Sequence, residues 1–248
     1  MKTTSCIYTS ALIATLALSA PIAHAQILAQ WDFSSNLEAT EEAPGITASA
    51  VSYGSFSGFS PSGNTYTRSS GGQDLFARVF QAPGGSDRIL GTSESIAVDT
   101  RQTYFEFTLT PSSATDFGTL TADITAQVIS SSDPGNSFEA HYLLRSSQDG
   151  FVSNIGTGSI STPSTDANSG SNRTGEFSAD ISSFQDIDST ITFRLYTYVT
   201  SDGSLNSNHV IRLDNITVNA IPEPSQAAIA FGIVSLAAIA SVRRRRKS

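Results

Sequence analysis

Between residues 26 and 220 apolar and polar positions alternate in short runs, and no run carries the three-and-four spacing of an amphipathic helix. Period-two alternation predicts strands over residues 27–33, 46–53, 75–80, 103–110, 119–129, 137–145, 175–181, 190–200 and 209–218. Two of them show the pattern plainly. Over 103–110, Phe105, Phe107 and Leu109 fall on one face and Tyr104, Glu106 and Thr108 on the other. Over 190–200, Ile191, Phe193, Leu195 and Val199 oppose Arg194, Tyr196 and Tyr198. Stretches rich in Gly, Ser, Thr and Asn at 54–73 and 159–173 read as loops. About eight to ten such strands, each with one apolar face, predict an all-β fold: a single antiparallel β-sandwich, jelly-roll-like. No internal repeat interrupts it.

The two ends break this pattern. Residues 1–25 read as a secretory signal peptide: Lys2, then an apolar core over 11–20, then Ala23-His24-Ala25 as a cleavage site before Gln26. A buried N-terminal helix is the alternative. Cys6 precedes the apolar core, so it is not placed as a lipid-acceptor cysteine, and it leaves with the signal. The remaining chain then has no cysteine and forms no disulfide, although export would permit one. At about 195 residues it is long enough to hold by its core. At the other end, Pro222-Glu223-Pro224 is followed by an apolar run over 226–242 and by Arg243, Arg244, Arg245, Arg246 and Lys247. The apolar run predicts a transmembrane helix near the lower limit of ~17 residues. The basic end, 243–248, belongs on the cytoplasmic side and leaves residues 26–221 outside. The expected order is therefore signal peptide 1–25, ectodomain 26–221 and tail 222–248.

Charge sharpens the picture. The whole chain carries 14 basic and 22 acidic residues, a net −8. Residues 26–221 hold no lysine and only eight arginines against 21 acidic residues, a net −13. Such a body lacks the basic footprint that nucleic acid requires, so no nucleic-acid partner is expected. The missing lysine excludes Schiff-base chemistry and a P-loop. Charged residues make up 15% of the chain, so the polar surface rests on Ser, Thr, Asn, Gln and Gly.

The tail resembles that of the PEP-CTERM family, on the strength of Pro222-Glu223-Pro224, the short apolar helix and the arginine run. The same tail is also called an ice-binding-protein C-terminal domain, a label that says nothing about ice here. The resemblance implies processing by exosortase, a membrane-embedded cysteine protease or transpeptidase of Gram-negative bacteria. It implies recognition at Pro222, Glu223 and Pro224, and a fate at the cell surface or in an exopolysaccharide or biofilm matrix. The prolines suit that step, because they block outward extension of the helix and leave an extended strip at the membrane. A permanent single-span anchor is the alternative. Short stretches of the body, among them Trp31-Asp32-Phe33, residues 144–151 and residues 212–218, also resemble an ectodomain that recurs in this family and implies a β-sandwich.

No catalytic residue can be assigned. His141 and His209 are the only histidines left after processing, and no G-x-S-x-G elbow accompanies them. They are too few and too far apart to nominate a zinc site. Two carboxylates for glycoside hydrolysis exist among 21 acidic residues by chance alone. Oxygen-rich turns at 133–136, 149–150 and 202–206 would suit structural calcium, and equally suit turns as such, so no metal ligand is assigned. Asn172-Arg173-Thr174 and Asn215-Ile216-Thr217 match the N-glycosylation pattern, with Asn215 inside an expected strand. Arg194, Tyr196 and Tyr198, on one strand face, are the candidate glycan contacts; packing against cross-strand neighbours or a covering loop is the competing account. The expected function is that of an exported, non-catalytic surface or matrix protein, its partners being the export machinery, exosortase and the membrane. The alternative is a carbohydrate-binding module for matrix polysaccharide, and less favoured still is a secreted glycoside-active enzyme.

Overall fold

The computed structural model describes residues 25–34, 36–54, 75–78, 90–128, 138–162, 172–201 and 209–222. The signal peptide, Glu223, Pro224, the apolar run 226–242 and the basic end lie outside the described residues, as do the turns at 133–136 and 202–206. Among the described residues no helix is long and apolar enough to cross a membrane. Residues Gln26–Ile221 form one compact unit.

Among the described residues twelve strands run β1 (Ile27–Trp31), β2 (Glu41–Glu42), β3 (Ile46–Ala48), β4 (Ser52–Tyr53), β5 (Leu75–Arg78), β6 (Tyr104–Pro111), β7 (Phe117–Val128), β8 (Phe138–Ser146), β9 (Gly156–Thr162), β10 (Asn172–Asp180), β11 (Ile191–Ser201) and β12 (His209–Ala220). They form two antiparallel sheets. The first has the order β10-β7-β12-β1-β2, with β5 also on β12; the second has β3-β6-β11-β8-β9, with β4 also on β6. From β6 onward most connections carry the chain from one sheet to the other.

The alternation seen in the sequence is what packs the sheets together. Phe105, Phe107 and Leu109 of β6, and Ile191, Phe193, Leu195 and Val199 of β11, are buried on the inner face of the second sheet. They meet Trp31 and Phe117 from the first sheet: Trp31 lies 4.7 Å from Phe107 and Phe117 lies 6.3 Å from Phe193, ring centre to ring centre. Trp31 also donates its indole N–H to the carbonyl of Ser49, 2.9 Å away, so its polar atom is satisfied inside the core.

At one margin the sheets are drawn close by missing side chains. A Cβ on Gly156 would come within 2.5 Å of the Ala179 Cβ, and one on Gly158 within 3.0 Å of the Phe177 ring. These glycines let β9 approach β10 of the opposite sheet.

Two expectations are corrected. The single strand expected over 46–53 is two short pieces, β3 and β4. Ser49 interrupts it: its hydroxyl accepts the Thr108 N–H at 2.9 Å, taking the place of a ladder bond. The loop expected over 159–173 is in part strand, since β9 reaches Thr162 and β10 begins at Asn172. Its Gly, Ser and Thr composition hides the strand, because there is no apolar face to alternate.

A bulge in β12 accounts for Asn215. Asp214 pairs with Asp123 and Thr217 with Thr121, so β12 carries one extra residue. Asn215 takes up that residue in the left-handed region, φ 48°. Its side-chain amide donates to Asp123 Oδ2 at 2.7 Å, which holds the bulge. Asparagine is one of the few residues suited to this conformation.

The core also holds a polar fault. Tyr142 of β8 is wholly buried, and its hydroxyl has no hydrogen-bond partner among the described residues. Burial pushes its phenol pKa up, since the anion would be stranded there. Tyr142→Phe is expected to raise stability by about 1 kcal/mol, read as a higher urea midpoint at unchanged slope. A lower midpoint would show that the hydroxyl is bonded.

Candidate functional site

The outer face of the second sheet gathers every candidate contact residue. β11 presents Arg194, Tyr196, Tyr198 and Thr200 outward; its neighbours present Tyr104 and Glu106 from β6, and Glu139, His141, Leu143 and Arg145 from β8. Cross-strand pairing sets Tyr196 opposite Tyr104 and Leu143, and Tyr198 opposite His141.

One half of this face is closed. Tyr104, Tyr196 and Leu143 form a small apolar cluster of their own, with Val98 packed onto it. Val98 belongs to a π-helical turn, Ile96–Arg101, that follows the isolated bridge between Gly91 and Tyr198. Hydrogen bonds hold this covering segment to β11, among them one from the Thr197 N–H to the Thr103 carbonyl at 2.8 Å. The Val199 N–H donates to the Gly91 carbonyl at 3.0 Å, and the Thr103 hydroxyl donates to the Thr197 carbonyl at 2.6 Å. Gly91 must be glycine, because a Cβ there would lie 2.8 Å from the Ala97 nitrogen. Tyr196 is consequently 2% exposed and closed to any ligand. Of the three candidate contacts it is the one to be withdrawn.

Arg145 pins the cover. It is 9% exposed, and each of its three nitrogens has a separate partner. Nε donates to Asn154 Oδ1 at 2.7 Å, one terminal nitrogen to the Phe151 carbonyl at 3.0 Å and the other to Glu94 at 2.8 Å. Asn154 also donates to Glu94 at 2.8 Å, which closes the network. One guanidinium therefore ties residues 94 and 151–154 to β8, a task matched to its planar fork.

Arg194 is engaged as well. Its guanidinium carbon sits 3.9 Å from the centre of the Phe151 ring and 4.4 Å from that of Tyr104. Its Nε donates to Glu106 at 2.7 Å. Such a stack, with a partly exposed ion pair, is a packed structural element first. Phe151 reaches it through a tight turn. The Asp149 carboxylate accepts the N–H groups of Val152 and Ser153 at 3.1 and 2.8 Å, and Gly150 and Phe151 take positive φ. The backbone N–H of Ser153, foremost, holds the Asp149 carboxyl below the usual range. The carboxylate named for calcium at 149–150 thus serves the turn. Among the described residues no group of three or more His, Cys, Asp or Glu is arranged to hold a metal.

The other half of the face stays partly open. Tyr198 and His141 are half-buried and stack with ring centres 4.4 Å apart and only 8° between planes. His141 Nε2 shares a hydrogen bond of 3.0 Å with the Thr200 hydroxyl and lies 3.7 Å from Glu139. Burial lowers the His141 pKa and Glu139 opposes that shift, so the ring is mainly neutral near pH 7. Burial raises the Tyr198 pKa, and the carboxylates of Glu94 and Glu139 add to it. Beside this pair, β9 lines up the exposed Thr157, Ser159 and Ser161, with Ser159 directly opposite His141. The result is a partly exposed, face-to-face aromatic pair edged by hydroxyls and one carboxylate. His209, by contrast, is buried at the start of β12 against Phe138 and is far from solvent.

No protein-family model and no curated protein sequence matches the chain. Solved structures of similar shape include the K1 cleaved adhesin domain of Lys-gingipain from Porphyromonas gingivalis W83, 15% identical over 77% of this chain and 97% of that one, TM-score 0.39. A carbohydrate-binding module specific for non-crystalline cellulose is 10% identical over 69% of this chain and 88% of its own, TM-score 0.36. A family 11 carbohydrate-binding module from Clostridium thermocellum is 12% identical over 80% of this chain and all of its own, TM-score 0.29. At these identities and scores the likeness decides nothing about this chain.

Proposed function

We propose that the chain is an exported, non-catalytic surface or matrix protein whose jelly-roll-like sandwich binds polysaccharide. The observation that carries this reading is the partly exposed Tyr198–His141 stack. A pyranose ring has a face of C–H groups that packs on such a platform, while its hydroxyls need planar or hydroxyl partners at the edge. Thr200, Ser159, Ser161 and Glu139 supply them at the right place. Of the candidate contacts Tyr198 is the one we take to meet a sugar face, with His141 stacked on it; Arg194, partly exposed and stacked on Phe151 and Tyr104, holds the neighbouring surface.

The test is a glycan array probed with the full chain in a neutral detergent, with and without calcium. Binding to at least one neutral or amino-bearing glycan is expected, and Tyr198→Ala is expected to weaken it by about tenfold or more. No binding in either condition would overturn the reading.

A separate observation supports delivery to the surface. Pro222-Glu223-Pro224, an apolar run and five cations follow one another at one end of the chain, and a signal-like segment stands at the other. We infer that the chain is exported, held by its tail in the inner membrane and handled there by exosortase. Replacing Pro222, Glu223 and Pro224 by alanines in a host that has the enzyme is expected to change the mature mass and location. An unchanged mass and location would refute sorting at this motif.

A further inference from the structure

The platform carries a charge that the sandwich does not neutralise. Glu139 stands next to it, and its ionic partner is His141 at 3.7 Å, an imidazole that burial keeps mainly neutral. Among the described residues no other cation lies within ion-pair distance of Glu139. The nearby Glu94 differs, because Arg145 and Asn154 already occupy it. Around them, residues 26–221 bring a net charge of −13 and no lysine. A uronate polymer would meet repulsion at both ranges, the local carboxylate and the field of the whole body. A polymer bearing ammonium groups would be drawn in by both.

We infer that the Tyr198–His141 platform takes an amino sugar, a hexosamine unit with a free amine, seating the ring on the aromatic pair and the ammonium on Glu139. This inference rests on the polysaccharide-binding reading and specifies its ligand. Glu139 and His141 are two residues apart on one face of β8, and the Glu139 carboxylate lies 3.7 Å from His141 Nε2, at the edge of the aromatic pair, within reach of a substituent on a ring seated there. Tyr198 lies opposite His141 and Thr200 opposite Glu139, so ring face, hydroxyl and ammonium each have a partner. The ammonium–carboxylate contact would be a charge-assisted hydrogen bond, stronger than the neutral bonds at the β9 hydroxyls.

The experiment titrates the full chain in neutral detergent, at about pH 6.5, with three hexasaccharides: glucosamine, N-acetylglucosamine and galacturonate. The glucosamine oligomer is expected to bind about tenfold or more tightly than its acetylated counterpart, and the galacturonate oligomer not to bind. Glu139→Gln is expected to remove that preference, so that the free and acetylated oligomers bind equally. Tyr198→Ala is expected to weaken both. A glucosamine affinity unchanged by Glu139→Gln overturns the inference, since it would reflect only the net charge of the body. Equal affinity for the free and acetylated oligomers overturns it too, and leaves polysaccharide binding standing. Failure of all three oligomers and of a neutral glycan panel would instead remove the polysaccharide-binding reading itself.

Discussion

Replacing Trp31 by alanine is expected to lower the free energy of unfolding by about 3–5 kcal/mol, a large share of what a domain of this size possesses. Two losses combine. The ring is fully buried between the sheets, 4.7 Å from Phe107, and its removal leaves a void lined by aromatic side chains that cannot collapse easily. The carbonyl of Ser49 also loses its donor. Trp31→Phe separates the two: it keeps most of the packing and is expected to cost about 1–3 kcal/mol for the unpartnered carbonyl and the smaller ring. Urea unfolding followed by circular dichroism measures both. A loss below about 1 kcal/mol for the alanine variant would mean that the two sheets are not held together at this point.

Arg145→Ala carries the second large effect, about 2–4 kcal/mol. The guanidinium bonds Asn154, Glu94 and the Phe151 carbonyl from a site that is 9% exposed, so its removal takes a donor from all three and leaves Glu94 only the Asn154 amide. The figure stays below that of a fully buried pair because Glu94 is 42% exposed and water can reach it. Arg145→Lys is expected to recover less than half, since one ammonium cannot take the place of three nitrogens fixed in a plane. The stability loss should come with faster amide exchange across residues 91–102 and 147–155, the segments the side chain ties down. Exchange unchanged in these segments would show that the cover is held by Val98 and its backbone bonds instead.

Particular residues show where the sequence was readable. In β6 and β11 the aliphatic and Phe side chains point inward, with Thr197 the one polar residue among them at 195–199, and this pattern sufficed to place strands, faces and core. β9, paired with β8, escaped notice because its inward positions include Gly156 and Gly158, which pack against β10 of the other sheet, and glycine leaves no alternation to read. The candidate site was half legible. Alternation put Arg194, Tyr196 and Tyr198 on one face, which is correct, and predicted nothing of the segment from Leu90 to Gln102 that folds over Tyr196. Arg145 was invisible as a pin for the same reason. An arginine at an outward strand position looks solvent-exposed until the loops that surround it are known. His141 became significant only through register, since the pairing of β8 with β11 is what sets it on Tyr198.

The account turns on that stacked pair, and hydroxyl-radical footprinting of the full chain tests it most directly. Tyr198 and His141 are partly exposed and should be oxidised in the free protein. Saturation with a bound glycan is expected to suppress oxidation of both by about tenfold, while Tyr53 and Phe184 react as before. Unchanged oxidation of Tyr198 and His141 in the presence of a glycan that demonstrably binds would place recognition elsewhere and contradict the account.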